Sequence, residues 1–410
     1  MSVKWGALAM GAVALAAATG PAATVTMKTK TAPGTVASLS EAKSWLEVKV
    51  PEMIHACRRT MNDGTAAYPP QVGSGYEAFW LRDYAYILES GAASIPAAEL
   101  LAAAQVFVKA QRADGACVDC VKFDGTAIYM PGYGTMGENP VADGSQFTVA
   151  VVYLTWKQTG DASLLSANVL NALVKAMAAV PRDAATGLVF IDPSKAYDRC
   201  PYGFTDSIRK TGLCFFESLL DVEASRRLAE LLTAAGRTSD AQVFSQRATD
   251  VTAQINGVFW DSGVGLYRAT TVRCKEPDIW GSAFAVWLGV APTTRADAVA
   301  AYLKANHAGL TQKGQLRHTP PGTYWEMGCA QDTYQNGGYW GTPIGWYAYA
   351  LNRIDPALAD RVLVDLVNDF AARGVGEWVF GDHVALPQGY MSSATLPLAA
   401  IRRLVGERGQ

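Results

Sequence analysis

The sequence has few charged residues and almost no histidine. Only 18% of its 410 residues are charged, and 35 Lys and Arg nearly balance 37 Asp and Glu, for a formal net charge of −2. This balance provides neither the basic surface that binds nucleic acid nor a polybasic segment for a membrane surface. Because the whole chain holds four histidines, we expect no histidine-rich metal site, and no other pattern in it implies a metal or a cofactor.

Two common enzyme motifs are also missing. The chain has no Walker loop for phosphate groups and no G-x-S-x-G turn of an α/β-hydrolase. Apolar residues, in contrast, are abundant, since 50% of the chain is hydrophobic and 10% is aromatic. This composition excludes general disorder and provides for a large core.

The N-terminal segment differs in composition from the rest. Residues 1–25 carry one positive charge followed by an uncharged run, with small residues suited to signal peptidase at Ala16–Ala18 and Ala22–Ala23. A membrane anchor is the alternative, but a Gly-Pro pair interrupts the apolar run. We predict a signal peptide over 1–25, a linker over 26–38 and one domain over 39–410. The protein is then secreted or periplasmic, with no membrane contact beyond its export signal.

Seven cysteines are compatible with export. Cys117 and Cys120 form a C-x-x-C pair, but a zinc site needs a second close pair, and the chain has none. We expect disulfides that tether loops, with Cys57 on a helix as the odd thiol. The remaining cysteines lie in or beside predicted loops: Cys200, Cys214, Cys274 and Cys329.

Apolar residues recur at helical spacing from residue 39 onwards, and alternating runs of β-branched residues are absent. The pattern predicts an all-α protein. Twelve helices are expected: 39–61, 78–92, 96–112, 143–159, 162–180, 208–236, 238–257, 278–289, 293–307, 337–352, 355–373 and 390–405.

The lengths of the connections between these helices alternate. Short turns join each even-numbered helix to the next, and a long loop precedes every even-numbered helix. If consecutive helices alternate in direction, all six long loops emerge at one end of the molecule. Six hairpins that close on themselves make an (α/α)6 toroid, and an open solenoid is the alternative. Loops of this length within a domain are usually functional.

Carboxylates, amides and aromatic side chains are concentrated in the long loops. This mixture suits a sugar, because aromatic faces stack on its C–H face and polar groups bind its hydroxyls. An oligosaccharide or glycoside is therefore the expected partner. The six clusters are Tyr76–Tyr84, Val141–Phe147, Pro201–Gly212, Phe259–Ser282, Tyr324–Gly341 and Gly374–Asp382.

These features resemble the six-hairpin glycosidases, the (α/α)6 clan that includes glycoside hydrolase families 15, 37, 63, 100 and 125. Phe259-Trp260-Asp261 with Gly265-Leu266-Tyr267 is similar to the F-W-D…G-x-Y signature of family 63 and trehalase-like members. The segment Tyr202–Ser207 is similar to the E-S-G-x-D-x-S/P motif of the general acid, without its glutamate. Trp80–Asp83 resembles a W-L-R-D motif of family 125. The resemblance implies a catalytic toroid that hydrolyses glycosidic bonds without a metal.

The resemblance also implies roles for two carboxylates. By motif, Asp206 is the general acid, and by position Glu377 is the general base that activates water. The two precede the sixth and twelfth helices, so they are expected on opposite sides of the ring, as an inverting mechanism requires. Glu326 is the substitute base, and Asp83 or Asp278 the substitute acid.

Other polar and aromatic residues of the rim are candidates for binding the sugar. Trp80, Arg82 and Asp83 are expected to form the subsite for the non-reducing sugar. The other candidates for its walls are Asp143, Gln146, Arg209, Lys210, Asp278, Trp280, Glu326, Asn336 and Trp340.

The function that these expectations define is an exported, inverting hydrolase of α-linked glucose or mannose residues. A non-catalytic carbohydrate-binding protein with the same fold is one alternative. A polysaccharide lyase is the other, although lyases act on uronates and usually have a basic groove. Here the histidines are scattered and the rim is rich in carboxylates.

Overall fold

The computed structural model describes residues 35–73, 75–129, 141–194 and 206–409. The chain from Thr35 onwards forms one compact unit. The predicted leader and most of the predicted linker lie outside the described residues. Within the described ranges, no helix combines the length and apolar character needed to cross a membrane.

All twelve predicted helices are present, and a single-turn helix (α10) adds a thirteenth to the described part of the chain. The helices are α1 Leu39–Cys57, α2 Leu81–Gly91, α3 Ala97–Lys109, α4 Gly144–Thr159, α5 Ala167–Ala179, α6 Phe215–Ala234, α7 Thr238–Val258, α8 Ile279–Trp287, α9 Thr293–Ala305, α10 His307–Leu310, α11 Ile344–Leu351, α12 Pro356–Arg373 and α13 Ser392–Arg408.

Six of these helices form a closed inner ring. In ring order they are α2, α4, α6, α8, α11 and α13, and α13 packs on α2 to complete the circle. Each packs on its neighbours, so the inner helices are buried almost all round, whereas the outer helices bury one face. Helix α7 shows the outer pattern, with buried residues at three- and four-residue spacing: Ala241, Phe244, Ala248, Val251 and Ile255. The predicted (α/α)6 toroid is confirmed.

Short strands connect the loops at the helix ends, and the sequence did not predict them. They are β1 Arg59–Thr60, β2 Ala66–Ala67, β3 Ala78–Trp80, β4 Cys120–Lys122, β5 Ala127–Ile128, β6 Phe190–Ile191, β7 Gly212–Leu213, β8 Trp260–Asp261, β9 Leu266–Tyr267, β10 Thr311–Gln312, β11 Gln315–Arg317, β12 Tyr339–Trp340, β13 Trp378–Phe380 and β14 His383–Val384. Strands of two or three residues are too short to show an alternating pattern. Strands β10 to β14 form one antiparallel sheet, which holds Trp340 beside the strand that follows Glu377.

Two helices begin seven residues later than predicted. Helix α6 starts at Phe215 rather than at 208, and α11 starts at Ile344 rather than at 337. In the first case residues 211–214 are extended, because β7 pairs with β6 and Thr211 and Cys214 bridge to Arg273 and Thr270. The later start of α11 leaves Trp340 on strand β12, outside the helix.

The predicted disulfides are wrong for the described residues. No disulfide joins two of the described cysteines: Cys57, Cys117, Cys120, Cys274 and Cys329 are free thiols, and Cys200 lies outside the described ranges. Four of these five are buried, where a thiol packs as a small apolar side chain.

Candidate active site

The inner helices begin around a cavity of about 60 Å³. Its walls come from four segments, those that precede or begin α2, α6, α11 and α13. Because these segments enter inner helices of the same direction, their polar residues meet at one end of the ring. The lining residues are Tyr76, Trp80, Arg82, Asp83, Asp206, Tyr334, Gln335, Trp340 and Tyr390.

Asp206 lies in this wall and is held by Gln335. The side-chain amide of Gln335 donates a hydrogen bond to Oδ1 of Asp206. The Oε1 atom of the same amide accepts hydrogen bonds from the backbone N–H of Ser207 at 2.8 Å and from its hydroxyl at 2.7 Å. Asp206 is therefore fixed by a residue 129 positions away in the chain. The preceding motif residues, 202–205, lie outside the described ranges.

Glu377 is 4% exposed and lies behind two tyrosines of the cavity wall. The hydroxyl of Tyr76 donates a hydrogen bond to Oε1 of Glu377 at 2.7 Å, and the hydroxyl of Tyr334 lies 3.5 Å from the same oxygen. Burial raises the pKa of Glu377 to about 8 against these two hydrogen bonds, and the charges of Asp206 and Asp83 add to the rise. Glu377 thus binds a proton far more readily than an ordinary glutamate.

Asp83 is a third carboxylate at the same cavity. The hydroxyl of Tyr390 donates a hydrogen bond to its Oδ1 at 2.8 Å. Burial raises the pKa of Asp83 to about 6, although Arg82 and Tyr390 act in the opposite direction, and the charge of Asp206 contributes to the rise. Carboxylates whose pKa values depend on one another in a cleft are typical of functional sites.

Aromatic rings surround these carboxylates. Tyr76 meets Trp80 edge to face at 5.9 Å between ring centroids, and Tyr334 lies 5.0 Å from Trp340. The indole N–H of Trp340 donates a hydrogen bond to the backbone oxygen of Tyr334 at 3.0 Å, which fixes the Trp340 ring against that turn. The cavity therefore combines rigid apolar faces with groups that accept or donate hydrogen bonds.

Arg82 forms an ion pair with the buried carboxylate of Asp143. Its Nε and Nη2 atoms donate to the two oxygens of Asp143 at 3.0 and 3.2 Å, and Asp119 lies 3.9 Å from Nη2. Asp143 is 1% exposed. This places the predicted wall residue Asp143 in a supporting ion pair, while Arg82 itself lines the cavity.

Two further groups of predicted site residues lie in buried clusters away from the described cavity lining. Lys210 forms an ion pair of 2.9 Å with Glu217, and both are buried. Asp278 caps α8 by accepting the N–H of Gly281 at 2.6 Å. It also binds His318 at 3.0 Å, and Trp280 stacks on that imidazole at 3.8 Å between centroids.

The last four predicted residues also have local roles. Arg209 is exposed. The side-chain amide of Gln146 donates a hydrogen bond to the backbone oxygen of Ala142, at the start of α4. Glu326 is exposed and accepts the N–H of Cys274. Asn336 accepts the N–H of Trp325 and so shapes its loop. Of the fourteen predicted residues, the structure gathers six: Trp80, Arg82, Asp83, Asp206, Trp340 and Glu377.

Sequence reasoning missed four residues of the cavity wall, Tyr76, Tyr334, Gln335 and Tyr390. Three of them, Tyr76, Tyr334 and Gln335, belong to the polar-aromatic clusters of the long loops, so the sequence indicated the loops in which they lie. The sequence did not indicate which residues they contact, because each contact joins segments far apart in the chain. Tyr76 and Glu377, for example, are 301 residues apart. Among the described residues, no group of three or more His, Cys, Asp or Glu could hold a metal ion.

This chain is similar to known proteins in its three-dimensional structure. Neither a protein-family model nor a curated protein sequence matches the chain. A crystal structure of the glycoside hydrolase family 63 mannosylglycerate hydrolase from Thermus thermophilus, in complex with glucose, is similar with a TM-score of 0.62 and 17% identity. The match covers 86% of this chain and 99% of that one.

Two other similar structures come from different glycosidases. A metal-independent α-mannosidase of Streptococcus pneumoniae, in a non-productive complex with α-1,6-mannobiose, has a TM-score of 0.58 and 14% identity, over 88% of this chain and 96% of that one. A family 78 rhamnosidase of a Bacillus species has a TM-score of 0.58 and 15% identity, over 90% of this chain. The match covers only 35% of that rhamnosidase. The chain therefore has the (α/α)6 fold of the six-hairpin glycosidases.

Proposed function

We propose that this protein is a glycoside hydrolase that cleaves α-linked glucose or mannose residues with inversion, using Asp206 and Glu377. One observation carries the proposal: the consecutive residues Tyr334 and Gln335 contact Glu377 and Asp206 respectively. Each carboxylate has its own partner, and the dipeptide lies between them. Inverting glycosidases need two carboxyl groups that are separated by roughly 6.5–9.5 Å, so that a water fits beside the sugar.

The proposed reaction moves two protons. Asp206 donates its proton to the glycosidic oxygen as the bond from that oxygen to the anomeric carbon breaks. Glu377 takes a proton from a water whose oxygen attacks the anomeric carbon from the opposite face. The products are the free aglycone alcohol and a sugar of inverted configuration. Exchange with solvent then removes the proton from Glu377 and restores that of Asp206.

The cavity wall supplies the contacts that such a substrate needs. Trp80 and Trp340 offer flat apolar faces, and Arg82 and Asp83 offer charged hydrogen-bonding groups to sugar hydroxyls. The solved structures that share the fold support the choice of sugar, since one holds glucose and another holds a mannobiose.

Proton NMR of the purified protein with methyl α-glucoside, methyl α-mannoside and α-linked disaccharides of each sugar tests this function. We expect hydrolysis of at least one of them, with the β-anomer of the free sugar appearing first, since inversion converts the α-linkage. If the α-anomer appears first, the reaction retains configuration and the proposed pair is wrong. If nothing in the panel is cleaved, a non-catalytic carbohydrate-binding protein becomes the better description.

We also propose that the enzyme is exported, on the strength of the uncharged run in residues 1–25. Expression of the full chain in a bacterium with a secretion pathway should yield mature protein outside the cytoplasm, with an N-terminus between residues 17 and 26. Mass spectrometry of the purified protein reads that N-terminus. Full-length protein retained in the cytoplasm would contradict export and leave the hydrolase proposal untouched.

A further inference from the structure

Gln335 connects the proposed acid to the rest of the site. It is 3% exposed, and its side chain binds two consecutive residues, Asp206 and Ser207. The orientation of its amide follows from chemistry. The backbone N–H of Ser207 can only donate, so the atom it faces at 2.8 Å must be the oxygen of Gln335. The amide nitrogen therefore faces Asp206, and Gln335 donates to Oδ1.

The turn that carries Gln335 is itself fixed. The indole N–H of Trp325 donates to the backbone oxygen of Gln335 at 3.0 Å, and the backbone N–H of Trp325 donates to the side chain of Asn336 at 2.8 Å. Trp325 is 4% exposed and packs in a small apolar cluster with Ile208, two residues beyond Asp206. These contacts therefore hold Gln335, which is the hydrogen-bond donor, and the segment that carries Asp206 in one packed unit.

A donor on Oδ1 of Asp206 has two consequences for proton transfer. It leaves Oδ2 as the oxygen that carries the proton, and it fixes the carboxyl group in one orientation. As the proton leaves, Asp206 becomes negatively charged, and the hydrogen bond from Gln335 becomes charge-assisted and stronger. The interaction is therefore worth more in the transition state than before it.

We propose that Gln335 is a positioning residue that orients Asp206 for proton donation to the leaving group, an inference that rests on the function proposed above. Its effect should depend on how much the leaving group needs a proton. A methoxide leaving group requires protonation, whereas 2,4-dinitrophenolate departs without it. A residue that only stabilised the fold would affect both substrates equally.

The test compares kcat/KM of wild type and variants on methyl and 2,4-dinitrophenyl α-glycosides of glucose and mannose. For Gln335→Leu we expect a loss of about 10- to 100-fold on the methyl glycoside and about threefold or less on the dinitrophenyl glycoside. Gln335→Glu should behave similarly, because it keeps the shape and the acceptor for Ser207 but replaces the donor. The ratio of the two substrates within one preparation is independent of the folded fraction.

Gln312→Leu is the matched control, since this glutamine lies in the same long loop but binds the backbone of Gly381. Both substrates should be turned over as in wild type. Equal losses on both substrates in Gln335→Leu, or no loss on either, would overturn the positioning role. Failure of the proposed function is seen separately, because the wild type would then hydrolyse neither glycoside.

Discussion

Replacing Glu377 by Gln is expected to lower kcat by about a thousandfold, because general base catalysis typically contributes about 10²–10⁴-fold. The substitution keeps the size of the side chain and an oxygen that can still accept the hydroxyl of Tyr76. It removes only the ability to take a proton from water. The measurement is steady-state hydrolysis of the glycoside that wild type cleaves, and a loss below about tenfold would contradict a role as base.

Stability measurements separate this loss from unfolding. The folded-state pKa of Glu377, about 8, lies above the value of about 4.3 for an unperturbed glutamate. Its stability contribution in the wild type is therefore full below about pH 4.3 and is lost as pH rises towards 8. The amide does not titrate, so Glu377→Gln should be at least as stable as wild type above pH 7. Urea unfolding at pH 5 and pH 8 tests this sign.

The raised pKa of Glu377 also bears on which carboxylate is the acid. A proton-holding carboxyl is typical of a general acid, whereas the motif resemblance gives that role to Asp206. Because neighbouring carboxylates titrate as a set, leaving-group dependence decides between them. Asp206→Asn should retain most activity on the dinitrophenyl glycoside and lose it on the methyl glycoside, while Glu377→Gln loses both. The opposite pattern would exchange the two roles.

Replacing Lys210 by Met should destabilise the fold by about 3–5 kcal/mol, because it leaves a buried carboxylate without its partner. Lys210 and Glu217 are 1% and 0% exposed and 2.9 Å apart. Burial already raises the pKa of Glu217 against the attraction of Lys210. Without the lysine, Glu217 should protonate more readily, so the loss should be smaller at pH 5 than at pH 8. Urea unfolding at both pH values measures it.

Two further variants make this result specific. The double variant Lys210→Met with Glu217→Leu should recover at least half of the loss, since it removes the unpaired charge. Arg209→Ala, at the exposed neighbouring position, should change stability by about 0.5 kcal/mol or less. A raised KM in folded Lys210→Met with unchanged stability would instead restore the sugar-binding role that the sequence suggested for Lys210.

The architecture could be read from the sequence alone. Helical periodicity and alternating connection lengths are local properties, and they predicted twelve helices and favoured a closed ring over an open solenoid. The position of Trp80, Arg82 and Asp83 at the start of an inner helix was equally readable, because one short motif carries all three. The short strands could not be predicted, since two or three residues are too few to show an alternating pattern of apolar and polar side chains.

Which polar residues share a cavity depends on the tertiary structure. Asp206 and Asp278 both precede an inner helix, yet one lines the cavity beside Gln335 and the other caps its helix and binds His318. Lys210 follows Asp206 by four residues and is turned into a buried ion pair. The different positions of Asp206 and Asp278 go with contacts to Gln335 and His318, which lie 129 and 40 residues away in the chain. Such contacts depend on how the ring closes, and residue spacing along one segment does not encode them.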